Sequence, residues 1–293
     1  MKLLVVGSKG QLGSDCCTLL AAENEITGCD IPRVDISSKE SVDTYLDEIK
    51  PDVIVNCAAF TAVDGCESDL DLSWKVNAEG PKYLAQGAER IGSRLIQVST
   101  DYVFDGNRPA PKPYFETDTP NPLSQYGKSK LAGEEAVIKY CSNHIILRTA
   151  WLYSATGNNF LKTMLKLVIQ KPTRELKVVN DQYGSLSWSY TLALQIKKLL
   201  RSDLTGIAHT TSEGYSTWYE AACYFLDTMD VPYKIRPCTT AEYPTLAHRP
   251  ANSILENRVL KDAKISAFTD WKDDINIFVD RYREQLLTEA RAN

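Results

Sequence analysis

Tyr126 and Lys130 stand four residues apart in the run YGKSK. On a helix this spacing puts a phenol and an ammonium on one face, one turn apart. Side chains of these two types are suited to acid–base work when they are neighbours. The spacing alone carries little weight, because many helices hold a Tyr and a Lys; its weight comes from what surrounds it. Ser99, Thr100 and Asp101 follow directly on the strand-like run RLIQV at 94–98, and a second strand-like run, HIILRTA, follows the YGKSK stretch. Three side-chain oxygens in a row would, seen alone, read as a capped turn.

The chain opens with a second chemical signal. GSKGQLG at 7–13 joins the apolar run LLVV to a helix-like stretch. Glycines spaced GxxGxxG allow a tight turn, let the backbone approach a pyrophosphate closely and aim amides from a helix N-terminus at it. Gly7, Gly10, Gln11, Leu12 and Gly13 are therefore read as dinucleotide-binding. Asp30, 20 positions after Gly10, stands where an acid takes the adenosine ribose hydroxyls and disfavours a 2′-phosphate. Arg33 is placed to receive that phosphate instead, so NADH and NADPH both remain open. Asp35 and Ile36, just before the next helix, are read as a turn within reach of the adenine.

Elements that could position these residues follow from periodicity. Apolar, β-branched runs at 3–7, 25–30, 51–59, 94–100 and 144–150 predict five strands, with helical stretches between them. Ser37 and Glu40 have capping-box spacing ahead of Val42, Tyr45, Leu46 and Ile49. Apolar strands alternating with helices predict a doubly wound α/β fold, a parallel sheet covered on both faces. After about residue 150 the rhythm changes. Helical stretches at 160–170, 189–200 and 216–229 mix with Pro- and Tyr-rich turns. The predicted organisation is a dinucleotide-binding domain over 1–150 and a smaller α/β substrate domain over 151–293, partly interleaved with the first.

Composition narrows the class. A net charge of -5 and a pI near 5.4 argue against nucleic acid or an anionic membrane as partner. The first apolar run has four residues before a glycine, too short for a signal-peptide core, and no stretch approaches the ~20 apolar residues of a membrane helix. Eight cysteines form no CxxC pair and read as free thiols in a reducing cytoplasm. His144, His209 and His248 have no metal-ligand spacing, and no metal is expected.

GSKGQLG, KPDVIVNCAAFTAVDGCES, VSTDYVFDG, YGKSKLAGE, RTAWLY, GNNFLKTML, VVNDQYGS and RPANS come in this order along nearly the whole chain. Together they resemble the extended short-chain dehydrogenase/reductases, and within them the dTDP-4-dehydrorhamnose reductase family. The resemblance implies a Rossmann-type fold and NADH- or NADPH-dependent reduction of the C4 ketone of dTDP-4-dehydro-L-rhamnose, a step toward cell-surface polysaccharide. It makes Tyr126 the proton donor. Lys130 would bind the nicotinamide ribose and lower the Tyr126 pKa, and Thr100 would hydrogen-bond the substrate carbonyl. Thr100 and Asp101 would touch the sugar, Trp151 would stack on it, and Arg249 would meet the diphosphate, with Asn252 and Ser253 assisting. Ala59, Phe60, Thr61 and Val98 would run along the cofactor.

Related sugar-nucleotide 4,6-dehydratases need an Asp-Glu pair where this chain has Asp101-Tyr102, which argues against dehydration. Two alternatives resemble the same pattern: a nucleotide-sugar 4-epimerase, and a non-catalytic regulatory subunit of methionine adenosyltransferase. Some family members dimerise through Mg²⁺ held by glutamates. Here the first-helix position is Asp15 and the later segment GSLSWSY has no acid, so the metal is not carried over and a monomer or weak homodimer is expected.

Overall fold

The computed structural model describes residues 1–292. At its centre lie six parallel strands: β1 (Lys2–Val6), β2 (Glu25–Cys29), β3 (Val53–Asn56), β4 (Arg94–Thr100), β5 (His144–Thr149) and β6 (Gly206–His209), in the order β6-β5-β4-β3-β1-β2. β1 has β2 on one side and β3 on the other, with Leu4 opposite both Thr27 and Ile54. Strand order reverses at this point, so a crevice opens at the carboxyl ends of β1 and β3.

Alternation along each strand gives the first core two halves, one on each face of the sheet. Leu3, Val5, Val55, Ile96 and Leu147 point to one face, where helices Gln11–Leu20 and Ser189–Leu199 cover them. Leu4, Val6, Ile54, Leu95 and Ile146 point to the other, beneath Lys39–Ile49, Gly80–Ile91 and Gln125–Tyr140. Strands buried on both faces are what the unbroken apolar runs demanded.

Two differences from the sequence reading, an added strand and a shifted helix cap, have local causes. The sheet has a sixth strand, Gly206–His209, which pairs with β5; its four residues are too few and too mixed to show a period. The helix at Ser189–Leu199, past residue 150 like this strand, packs on the first core. The cap expected at Ser37 falls one residue later: the Ser38 hydroxyl accepts from the Ser41 amide, while Ser37 donates to Asp35.

A second core gathers Tyr153, Leu161, Met164, Leu165, Trp188, Phe225 and Phe278 between helices Phe160–Gln170, Trp218–Thr228 and Trp271–Arg291. Short strands Tyr183–Gly184, Ser216–Thr217 and Asn252–Ser253 form its small sheet. Two carboxylates, Asp274 buried and Asp15 half-buried, join the two cores. Asp274 accepts from Thr191 (2.9 Å) and Ser212 (2.6 Å), and Asp15 accepts from Ser154 and Ser189.

Arg148 of β5 and Glu134 of the Gln125–Tyr140 helix form a buried, forked ion pair, with Nε to Oε1 at 3.0 Å and Nη2 to Oε2 at 2.7 Å. Arg148→Met leaves a carboxylate buried without its cation and is expected to cost about 3–5 kcal/mol. A lowered urea midpoint would show it, and adding Glu134→Leu is expected to restore much of the loss; no recovery would mean that the pair is not what Arg148 supplies.

Candidate active site

Backbone geometry at the switch point is that of an anion cradle. Gly7 has φ +78°, and a Cβ on it would lie 2.7 Å from the Ala58 amide nitrogen; on Gly13 it would lie 2.0 Å from the Gly7 carbonyl oxygen. Neither position tolerates a side chain. Gly10 is the N-cap of the first helix, whose start has no side-chain cap and no acid in its first turn. Its amides are left for an outside acceptor, as a pyrophosphate would require. The residues present fit a dinucleotide.

The predicted cofactor residues divide. The Leu12 side chain is in the core, which leaves its amide for the cradle. Gln11 accepts from Asn159 (3.2 Å) at the edge of the second core. Asp30 Oδ2 accepts from Ser8 Oγ (2.7 Å) and from the Lys9 amide (2.9 Å), so this carboxylate, just past the end of β2, shapes the glycine loop. Asp35 accepts from the Ser37 amide and hydroxyl. Ile36 is buried against Gly80. In both, the side chain serves the turn.

Four groups converge at the end of β4. Ser124 caps the Gln125–Tyr140 helix by accepting from Gly127 N (3.1 Å), and Glu67 accepts from Gln125 N (2.8 Å). Gly127 is required here, because its Cβ would lie 2.2 Å from the Tyr102 carbonyl oxygen. Tyr126 and Lys130 are both on the buried face of this helix. Lys130 Nζ donates to the Val98 carbonyl (2.8 Å). Thr100 Oγ1 donates to Asp101 Oδ1 (2.9 Å) and accepts from Tyr102 N (3.2 Å). The Tyr126 ring meets Tyr102 edge to face, centroids 5.5 Å apart.

Burial dominates the electrostatics. It raises the Tyr126 phenol well above its ordinary pKa, against a hydrogen bond with Thr100. It pushes Lys130 down to about 8, with Glu134 and Cys57 opposing. It pushes Asp101 up to about 6, against hydrogen bonds from Ser253 and Thr100. The lowered Tyr126 pKa expected from Lys130 is therefore not what this geometry gives. The ammonium points to the Val98 carbonyl, and loss of water dominates at the phenol.

Sequence reasoning missed several supports. A π-helical turn at Lys75–Glu79 presents Asn77, a local widening that often marks a functional segment. Asn77 accepts from Phe60 N (2.8 Å) and donates to Phe60 O (3.0 Å) and Ser129 Oγ (3.2 Å); Ser73 donates to Ser129 (3.1 Å). This network fastens the Ala59–Phe60–Thr61 loop to the Tyr126 helix. No pattern in the sequence announced it.

The predicted sugar contacts are modified. Trp151 has φ +46°, strained for a bulky residue. Its indole stacks on Trp218 at 3.6 Å and rests against Gly184, where a Cβ would be 2.4 Å away. One ring face is therefore taken by Trp218 and is not offered to a hexose. Asn252 donates to the Arg108 and Lys112 carbonyls and is a loop support, while Ser253 faces Asp101. Arg249 donates to Asp64 (2.8 Å) and to the Tyr102 hydroxyl (3.0 Å), which brings it to the reacting end of the crevice.

The model of the RmlD substrate binding domain family matches residues 1–284. The chain belongs to that family. It is 39% identical over 286 residues to the dTDP-4-dehydrorhamnose reductase of Aggregatibacter actinomycetemcomitans, covering 92% of this chain and 96% of the relative. The crystal structure of a dTDP-4-dehydrorhamnose reductase from Clostridium acetobutylicum superposes with a TM-score of 0.91 at 40% identity, over 96% of this chain and 99% of that one. One from Bacillus anthracis, in complex with NADP, has a TM-score of 0.92 at 34% identity, over 95% and 98%.

Two expectations follow. Lys130 is charged below about 8 and neutral above it, so kcat/KM is expected to fall as pH rises through about 8; a profile flat to about pH 9 would show that its charge is not needed. Asp30→Ala releases Ser8 and Lys9 for either cofactor but relieves repulsion only of a 2′-phosphate. Fluorescence titration is expected to show NADH binding weakened more than NADPH binding; an unchanged ratio would place Asp30 away from the ribose.

Proposed function

We propose that the protein reduces the C4 ketone of dTDP-4-dehydro-L-rhamnose to dTDP-L-rhamnose with NADPH or NADH, and that Tyr126 is the proton donor. One observation carries this reading: the helix bearing Tyr126 and Lys130 lies against the end of β4, with Thr100 beside the phenol, at the carboxyl edge where the glycine cradle opens. Dihydronicotinamide, when bound, supplies the hydride to C4.

The chain's own residues do the rest. Gly7, Gly10 and Gly13 admit the pyrophosphate, and the amides after Gly10 bind it. The loop carrying Ala59, Phe60 and Thr61 lies along the cofactor with Val98. Lys130 holds the nicotinamide ribose. Thr100 and Tyr126 orient the ketone oxygen, and the phenol gives it a proton as charge develops. Asp101 lines the sugar pocket. Arg249, whose five donors exceed the two bonds it makes here, keeps the remainder for the diphosphate. Trp151, buttressed by Trp218, bounds the hexose with what its stacking leaves exposed.

Tyr102 supports reduction over dehydration, because a phenol that burial keeps protonated cannot serve as the carboxylate base of an Asp-Glu pair. The intact Tyr126–Lys130 pair favours an enzyme over a regulatory subunit. No helix among the described residues is long and apolar enough to cross a membrane; the substrate is a soluble nucleotide sugar, and we place the reaction in the cytoplasm, the chain acting as a monomer or weak homodimer.

The test is absorbance at 340 nm with purified protein, dTDP-4-dehydro-L-rhamnose, and NADPH or NADH in turn. Multiple turnovers are expected with at least one cofactor, and Tyr126→Phe is expected to lose about 10²–10⁴ in turnover with cofactor binding intact. Cofactor binding without turnover in the wild type would overturn the reading. A Tyr126→Phe variant within a few-fold of wild type would remove Tyr126 as the donor.

A further inference from the structure

Tyr102 stands beside the reacting phenol and is fixed at three points. Its carbonyl oxygen fills the space left by Gly127. Its ring meets Tyr126 at 74°. Its hydroxyl oxygen accepts from Arg249 Nη1 at 3.0 Å, while Arg249 Nη2 donates to Asp64 Oδ2 at 2.8 Å and the other Asp64 oxygen accepts from Ala247 N at 2.9 Å. A guanidinium can only donate, so the phenolic oxygen is the acceptor and its own proton is left over. Among the described residues, no side chain or carbonyl takes that proton. Burial keeps the hydroxyl protonated, against the pull of Arg249.

We propose that Tyr102 donates this hydrogen bond to an oxygen of the bound hexose, next to the oxygen that Tyr126 protonates. The proton stays on Tyr102, which binds and orients while Tyr126 transfers. Arg249 is the positioning residue: it holds the phenolic oxygen from one side, so the O–H must point to the other, and its charge strengthens the donor. Asp64 holds Arg249 in turn. A 4-keto hexose offers a carbonyl and vicinal hydroxyls, all acceptors, to such a donor. This inference rests on the proposed nucleotide-sugar reduction and adds a second hydroxyl to its reaction centre.

The experiment compares wild type, Tyr102→Phe and Tyr102→His in the full chain by three measurements: turnover of the 4-keto nucleotide sugar, inhibition by dTDP (which has the diphosphate and no sugar) and NADPH binding. Tyr102→Phe keeps the ring and removes the donor. Its kcat/KM is expected to drop about tenfold, the scale of one lost hydrogen bond to a polarised donor, with dTDP inhibition and NADPH binding within about twofold of wild type. Tyr102→His, which keeps a ring donor, is expected to recover part of the loss. An unchanged kcat/KM in Tyr102→Phe overturns the inference. So does a parallel weakening of dTDP inhibition, which would mean that the variant only loosens Arg249 on the diphosphate. If Tyr102→Phe no longer binds NADPH, Tyr102→His decides by the same comparison: reduced kcat/KM with intact dTDP inhibition supports the inference, and parallel loss overturns it. Absence of turnover in the wild type would instead count against the reductase reading.

Discussion

Glu134 lies one helical turn beyond Lys130 and two beyond Tyr126, and it is buried. A carboxylate out of water is costly unless its charge and lone pairs are met. Arg148 meets it from β5 with a guanidinium fork, and Ser99 meets it from β4 with a hydroxyl. One side chain thus locks the reactive helix to two adjacent strands at once. A helix that slipped by one residue would turn by about 100° and take Tyr126 off the crevice. The requirement to satisfy this charge resists such a slip. Lys130 on Val98 O gives a second fixed point on β4, and Thr100, two residues on, is thereby set beside the phenol. The relation among Thr100, Tyr126 and Lys130 depends on this clamp more than on any contact among the three.

The same logic explains what the sequence disclosed. Positions where backbone must approach backbone admit only glycine, so Gly7, Gly13 and Gly127 leave a signature that survives without coordinates. Strands buried on both faces must be apolar throughout, so β1, β3, β4 and β5 announced themselves. The YxxxK spacing is local to one helix and was legible for that reason.

What stayed hidden depends on partners far along the chain. Arg249 reads as a free guanidinium until Asp64 and Tyr102, 185 and 147 residues away, are seen beside it. Trp151 reads as an indole with both faces open until Trp218 is seen to occupy one of them. Asp30 reads as a ribose ligand, and nothing local says that it also holds Ser8 and Lys9. The π-helical turn at Asn77 has no compositional mark, because the extra residue is accommodated by packing against Gly133, where a Cβ would lie 2.3 Å from the Asn77 carbonyl oxygen. Residue type and spacing define which chemistry is available; tertiary contacts decide which donors and acceptors remain for a ligand.

The raised Tyr126 pKa fits its proposed role as proton donor. A proton donor to a ketone under hydride attack must still hold its proton when substrate arrives, and burial ensures this across the neutral range. The oxygen that forms at C4 is an alkoxide, a stronger base than phenolate, so the transfer runs downhill even from a weakened acid. Lys130, with its pKa pushed down to about 8, keeps its charge at neutral pH, and in the proposed reaction its field favours the phenolate once that forms. That is stabilisation of the product of transfer, which lowers the barrier without ionising the donor beforehand. The same groups serve the reverse reaction through the same transition state, so the burial of Tyr126 bears on which group holds the proton when the ketone is bound and not on the direction of net turnover.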